Sequence, residues 1–121
     1  MSVVFRLTLA ETNLADIIWA NAPIASSDLV KIAASKLGWK RTTTYTILKK
    51  LCTKGIAENT NAMVSALLTR DEFLAGQSRR FINDTFEGSL PKFVAAFIGG
   101  EKLTQEQANE LKRLIEEHDE Q

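Results

Sequence analysis

Apolar residues recur at helical spacing in six stretches of the chain, and in one place the spacing changes. Thr8-Leu-Ala-Glu11 has the form of a capping box, and Ala10, Leu14, Ile17 and Ile18 follow at helical intervals. This predicts a first helix over residues 9 to 21, which Pro23 prevents from continuing. Ser26 or Ser27 is placed to cap a second helix, whose Leu29, Ile32, Ala33 and Leu37 form a stripe ending at Gly38. Thr44, Ile47, Leu48 and Leu51 repeat at i, i+3, i+4 and i+7, which predicts a third helix from Arg41 to Thr53, stopped at Gly55.

After Gly55 the helical repeat lapses. Ile56-Ala-Glu58 and Met63-Val-Ser-Ala-Leu-Leu68 flank the turn-like Asn59-Thr-Asn61, which predicts a two-stranded hairpin. Thr69-Arg-Asp-Glu72 then offers a second capping box for a fourth helix carrying Phe73, Leu74, Phe81 and Ile82 as far as Phe86. Ser89 caps a fifth, with Pro91 in its first turn and Leu90, Phe93, Val94, Phe97 and Ile98 on one face. Thr104-Gln-Glu-Gln107 opens the sixth, whose Ala108, Leu111, Leu114 and Ile115 are expected to face inward while its acids face water.

This order predicts a mainly α fold with a small β-hairpin: a winged helix-turn-helix head over residues 1–69 and a three-helix C-terminal tail over residues 70–121. Phe81, Phe86, Leu90, Phe93, Val94, Phe97 and Ile98 are more large apolar groups than a solitary three-helix appendage can hide. With Leu111, Leu114 and Ile115 they are expected to form a homodimer interface, the alternative being that they pack on the head.

Composition narrows the function classes. A chain of 121 residues, 45% of them hydrophobic, can bury one real core or two small ones but not the walls of a large catalytic cleft. No stretch approaches the roughly 20 apolar residues of a membrane-spanning helix, and Met1 to Leu7 is too short for a signal sequence, so a cytoplasmic protein without membrane insertion is expected. The single Cys52 has no intrachain partner and falls in an apolar pattern, as a buried thiol would. His118 sits in an acidic last turn far from Cys52, and there is no serine-base arrangement or glycine-rich phosphate loop, so the residues do not read as an enzyme. The C-terminal acids lack a histidine cluster and read as a solubilising face, with no metal or other cofactor expected.

Net charge is zero but unevenly spread. Residues 24 to 55 hold seven basic side chains against Asp28 alone, whereas residues 101 to 121 hold seven acids against three bases. The basic stretch contains the third helix, where Thr42, Tyr45, Thr46, Lys49 and Thr53 fall on one polar stripe opposite the apolar one, with Lys40, Arg41 and Lys50 beside it. Hydroxyls, amines and guanidinium groups meet phosphate oxygens and base edges, and a threonine methyl can pack on a thymine methyl. An ordinary solvated helix face has the same composition. The layout of a second helix joined by a short turn to a basic third one favours insertion of that third helix into a DNA major groove. Trp19 and Trp39 are expected to fill core and hinge, leaving Tyr45 the more exposed aromatic.

The chain resembles the BlaI/MecI penicillinase repressors, a family of winged-helix transcription regulators. The likeness is carried by Leu7-Thr-Leu-Ala-Glu11 with Ile17-Ile-Trp19, by Trp39-Lys-Arg-Thr-Thr-Thr-Tyr-Thr46 with Leu48, Leu51 and Lys54-Gly55, and by Ser65-Ala-Leu-Leu-Thr-Arg-Asp-Glu-Phe73. Ser78-Arg-Arg-Phe-Ile82 and Glu87-Gly-Ser-Leu90 extend it. The resemblance implies a homodimeric repressor on a double-stranded, inverted-repeat operator. In it Thr43 and Thr46 match recognition-helix threonines, Lys40 and Arg41 stand at that helix's entry, and Lys49 or Lys50 holds phosphate. Thr43 and Thr44 could instead cap or pack the helix.

Relatives are often relieved when a membrane-bound β-lactam sensor-protease triggers cutting in the tail, at a bond that aligns near Ala96-Phe97. The family commonly has asparagine before that phenylalanine, and this chain has Ala96. The first helix has Thr12 where a tryptophan often stands, and the hairpin Glu58-Asn-Thr-Asn-Ala-Met-Val64 lacks the usual basic and aromatic residues. A wing so composed should add little affinity for phosphate. It also keeps open an alternative, a winged-helix module that binds protein and not DNA.

Overall fold

The computed structural model describes residues 3–119. Its elements are α1 (Leu9–Asn21), β1 (Ile24–Ala25), α2 (Ser26–Leu37), α3 (Arg41–Thr53), β2 (Ala57–Thr60), β3 (Met63–Ala66), α4 (Arg70–Phe86), α5 (Leu90–Gly100) and α6 (Gln105–Asp119). They form two compact units, Met1–Arg80 and Phe81–Gln121. The division falls inside α4, later than the boundary expected after residue 69, because Phe73 is buried in the core of the first unit.

In the first unit α1 starts at a complete capping box: the Thr8 hydroxyl accepts from the Glu11 amide at 3.2 Å, and the Glu11 carboxylate accepts from the Thr8 amide at 2.8 Å. Leu14 and Ile18 of α1, Leu29 of α2, Leu51 of α3, and Ile56 and Val64 around the hairpin are fully buried together. Burying side chains of this size contributes about 1.5–3 kcal/mol each, which makes them the main support of the head. Three-residue and four-residue spacing puts them on the inner face of each helix.

The sheet has three antiparallel strands in the order β1-β3-β2, one more than the expected hairpin. Ile24 pairs with Val64 and Ala25 with Met63, so the chain between α1 and α2 closes one side of the wing. A two-residue strand is too short to show alternation in sequence. The turn is also displaced: Asn59 and Thr60 belong to β2, and Asn61 and Ala62, at φ 53° and 61°, make the turn. Neither Ser26 nor Ser27 caps α2, since the residue before that helix is Ala25 and no side chain makes a capping bond there. Ser26 lies inside the helix and is buried.

The N-terminal segment adds an arm to the head. Val3, Phe5 and Leu7 pack against the core, and the Val4 amide donates to the Lys54 carbonyl at 2.9 Å. Phe5, Phe73 and Trp19 form an aromatic run with centroids 5.7 and 5.5 Å apart, and the Trp19 indole donates to the Leu68 carbonyl at 3.0 Å.

In the second unit Phe81, Phe86 and Phe93 meet edge to face at 5.5 to 5.9 Å, with Phe97 6.4 Å from Phe93. Ser89 caps α5, its hydroxyl accepting from the Lys92 amide, and Thr104 with Gln107 makes a capping box for α6. No residue of α5 or α6 is buried among those described. The expectation that Leu111, Leu114 and Ile115 face inward is therefore corrected: they are exposed in the single chain, as are Phe81, Leu90, Phe97 and Ile98. No helix is long and apolar enough to cross a membrane among the described residues.

Candidate nucleic-acid interface

The site is built on the joint between α2 and α3. Gly38 takes φ 68°, a left-handed conformation that costs an L-residue about 1 kcal/mol or more, and its amide donates to the Ala34 carbonyl while that of Trp39 reaches Ala33. Only Gly38, Trp39 and Lys40 separate the two helices. Trp39 is half-buried against the core and anchors the turn from within.

α3 divides sharply into two faces. Thr44, Leu48 and Leu51 are buried, and the Thr44 hydroxyl donates to the Lys40 carbonyl at 3.1 Å. Lys40, Arg41, Thr42, Thr43, Thr46, Lys49, Lys50 and Thr53 are exposed. The Thr46 hydroxyl donates to the Thr42 carbonyl at 2.9 Å and that of Thr53 to the Lys49 carbonyl at 3.0 Å. Those bonds set each rotamer and use the hydroxyl proton, leaving oxygen lone pairs and the methyl group for an outside partner.

Tyr45 differs from the other sequence-predicted site residues. Like Trp19 and Trp39 it is half-buried. Its hydroxyl donates to the Ser26 hydroxyl at 3.2 Å, and the Arg41 guanidinium carbon lies 5.4 Å from its ring centroid. Tyr45 thus ties α3 to the start of α2 and steadies Arg41 through a cation–π contact.

Lys49, Lys50, Thr46 and Thr53 border an open groove with Glu11 and Lys54. Glu11 is 2% exposed and pairs with Lys54 at 2.6 Å. Burial pushes the Glu11 carboxyl up, but hydrogen bonds from Lys54 and Thr8 together with the Lys54 charge outweigh it and hold the group below its ordinary value. Sequence reading gave Glu11 only a capping role; the pairing joins residues 43 apart, which no local pattern reports. Cys52 is half-buried, and burial pushes its thiol above the ordinary value.

The wing presents Glu58, Asn59, Thr60, Asn61, Ala62 and Met63 to solvent, with no basic side chain among them. No group of three or more histidine, cysteine or acidic residues able to hold a metal occurs among the described residues.

The sequence model of the penicillinase repressor family matches residues 7–117. The chain belongs to the penicillinase repressor family. It is 25% identical to the penicillinase repressor of Bacillus licheniformis over 122 aligned positions, covering 98% of this chain and 95% of that protein. It is 22% identical to the methicillin resistance regulatory protein MecI of Mammaliicoccus sciuri over 115, covering 92% and 94%. Among solved structures, a multiple antibiotic-resistance repressor (MarR) from Listeria monocytogenes is similar over 95% of this chain and 74% of that one, at 16% identity and a TM-score of 0.48. Membership places this chain in a repressor family and not in a family of enzymes.

Proposed function

We propose that this penicillinase repressor family member is a sequence-specific DNA-binding repressor that acts as a homodimer on an inverted-repeat operator. The observation that carries the reading is the exposed face of α3, where Arg41, Thr42, Thr43, Thr46, Lys49 and Lys50 stand outward without an acid among them. In this mechanism Lys40 and Arg41 meet phosphates at the helix entry, Thr43 and Thr46 meet base edges in the major groove, and Lys49 or Lys50 holds the backbone. Tyr45 supports Arg41 from behind.

A single head reads only a few base pairs, and two heads joined by symmetry read an inverted repeat with half-sites about one helical turn apart or a multiple of it. The exposed Phe81, Leu90, Phe97, Ile98, Leu111, Leu114 and Ile115, with the half-buried Phe86, Phe93 and Val94, support such pairing through the tail. The family and the names of its relatives support control of β-lactam resistance or related genes. Relief by a sensor-protease system would cut near Ala96-Phe97, within α5, and would yield a fragment ending near Ala96 after antibiotic exposure.

Selection of bound duplexes from a random pool by the full-length chain tests the reading. It should recover an inverted repeat. Recovery of no sequence, with no binding to any duplex, would instead favour the protein-binding alternative, which the absence of basic side chains from the wing supports.

A further inference from the structure

Glu11 is the one buried charged side chain among the described residues, at the floor of the groove that Thr46, Lys49 and Lys50 border. Its Oε1 accepts from the Thr8 amide at 2.8 Å and from Lys54 Nζ at 2.6 Å. Lys54 directly follows α3 and is still joined to it, its amide donating to the Lys50 carbonyl at 3.0 Å. The same Nζ donates to the Arg6 carbonyl at 2.8 Å, and the Lys54 carbonyl accepts from the Val4 amide at 2.9 Å. One residue at the end of α3 is therefore fastened at three points, two on the N-terminal arm and one on the cap of α1.

These bonds differ in kind from the packing around them. Leu14 and Ile18 share the apolar core with Leu48 and Leu51, and such contact resists separation but is non-directional. A charged pair at short range is directional and fixes both rotation and axial setting. It is also a poor way to gain stability, because removing both charges from water offsets most of their attraction, and a well-packed apolar pair does as well or better. Buried ionic groups of this kind are best attested as devices that set register.

We propose that Glu11 and Lys54 are positioning residues, which hold α3 in the one setting relative to α1 at which its outer face discriminates between DNA sequences. This rests on the DNA-binding reading above, and acts through Thr43 and Thr46 without contact to the bases. In the second turn of the helix the Tyr45–Ser26 bond holds α3 to α2, so α3 is fastened in its first half as well as just past its last residue.

The test uses the full-length chain with Lys54→Met, Lys54→Arg, and the double change Glu11→Leu with Lys54→Met. Affinity for the selected operator and for an unrelated duplex of equal length is read at one salt concentration, beside the melting temperature. Lys54→Met should lower the operator-to-unrelated ratio about tenfold, the effect of one mismatched base pair. Lys54→Arg should keep the ratio, and the apolar double variant should recover the melting temperature without recovering the ratio. Recovery of both in the double variant would reduce the pair to a structural role, and equal loss on both duplexes in Lys54→Met would make Lys54 a phosphate contact; either overturns the proposal. A second readout is independent of DNA: spin labels at Ala20→Cys and Lys50→Cys, in a Cys52→Ala background, should give a broadened or shifted distance in both Met-bearing variants. An unchanged distance overturns the positioning role even if the wild-type chain distinguishes no duplex, the result that would sink the DNA-binding reading instead.

Discussion

The ring of Phe5 fills the space in which a side chain at position 76 would begin: a Cβ on Gly76 would fall 2.2 Å from Phe5 Cε1 and 2.4 Å from Cζ. Gly76 lies mid-helix in α4, where glycine costs about 1 kcal/mol relative to alanine, so the notch has an energetic reason to exist only if the arm uses it. Gly76→Ala should therefore lower stability by about 1–2 kcal/mol through overpacking, despite the better helix former. In a Phe5→Ala background the same change should raise it by about 1 kcal/mol. Denaturant unfolding of the four proteins gives the cycle, and simple additivity would show that ring and notch do not meet.

Ala62 holds φ 61° at the tip of the wing, where an alanine pays for its Cβ. Asn61-Ala62 has the two left-handed residues of a type I′ hairpin, for which Asn-Gly is the favoured pair. Ala62→Gly should stabilise the head by about 0.5–1 kcal/mol, seen as a higher melting temperature. Loss of stability would mean that the turn has another conformation.

Glu11 makes the head sensitive to acid. Its folded carboxyl lies below the ordinary value of 4.5, so it binds protons less readily in the folded chain than in the unfolded one. The stabilisation is complete above the unfolded value and is lost as pH falls through the folded one. Below 4.5 the wild-type chain should lose stability more steeply than Glu11→Gln, which carries no titrating group at that position. Parallel unfolding curves from pH 7 downward check this, and identical slopes would contradict it.

The tail should hold two chains together. Ile98→Asp would place a charge in the apolar face shared by Phe97 and Ile98, both exposed in the single chain. Burying an unpaired carboxylate should weaken association by about 3 kcal/mol, on the order of a hundredfold. Sedimentation across a concentration series should show a dimer for the wild-type chain and a lone subunit for the variant. A wild-type chain that stays single throughout would remove the basis for an inverted-repeat operator.

Much of this architecture is legible in the sequence, for local reasons. The ends of α1 and α3 fall where Thr8-Leu-Ala-Glu11, Pro23 and the Thr44–Leu51 repeat put them, because caps and 3.6-residue spacing are properties of neighbours. The two faces of α3 follow from the same spacing. What escaped depends on distant partners. β1 exists because Ile24 and Ala25 find Val64 and Met63, Ser26 is drawn into α2 where Tyr45 meets it, and Lys54 reaches Glu11 across the head. The turn at Asn61-Ala62 was hidden because alanine gives no sign of a left-handed backbone. The outward face of α6 reads as inward by pattern alone, since an apolar stripe does not say whether its cover is the same chain or another.

The salt dependence of duplex binding tests the outer face of α3 most directly. Each phosphate neutralised contributes about 0.9 to the slope of log affinity against log salt. Replacing Lys40 and Arg41 by alanine should weaken binding to all duplexes alike and flatten that slope by nearly 2 for each subunit bound, whereas Thr46→Ala should keep the slope and blur the sequence preference. A slope near zero in the wild-type chain, or one that the paired alanines leave unchanged, would contradict the account.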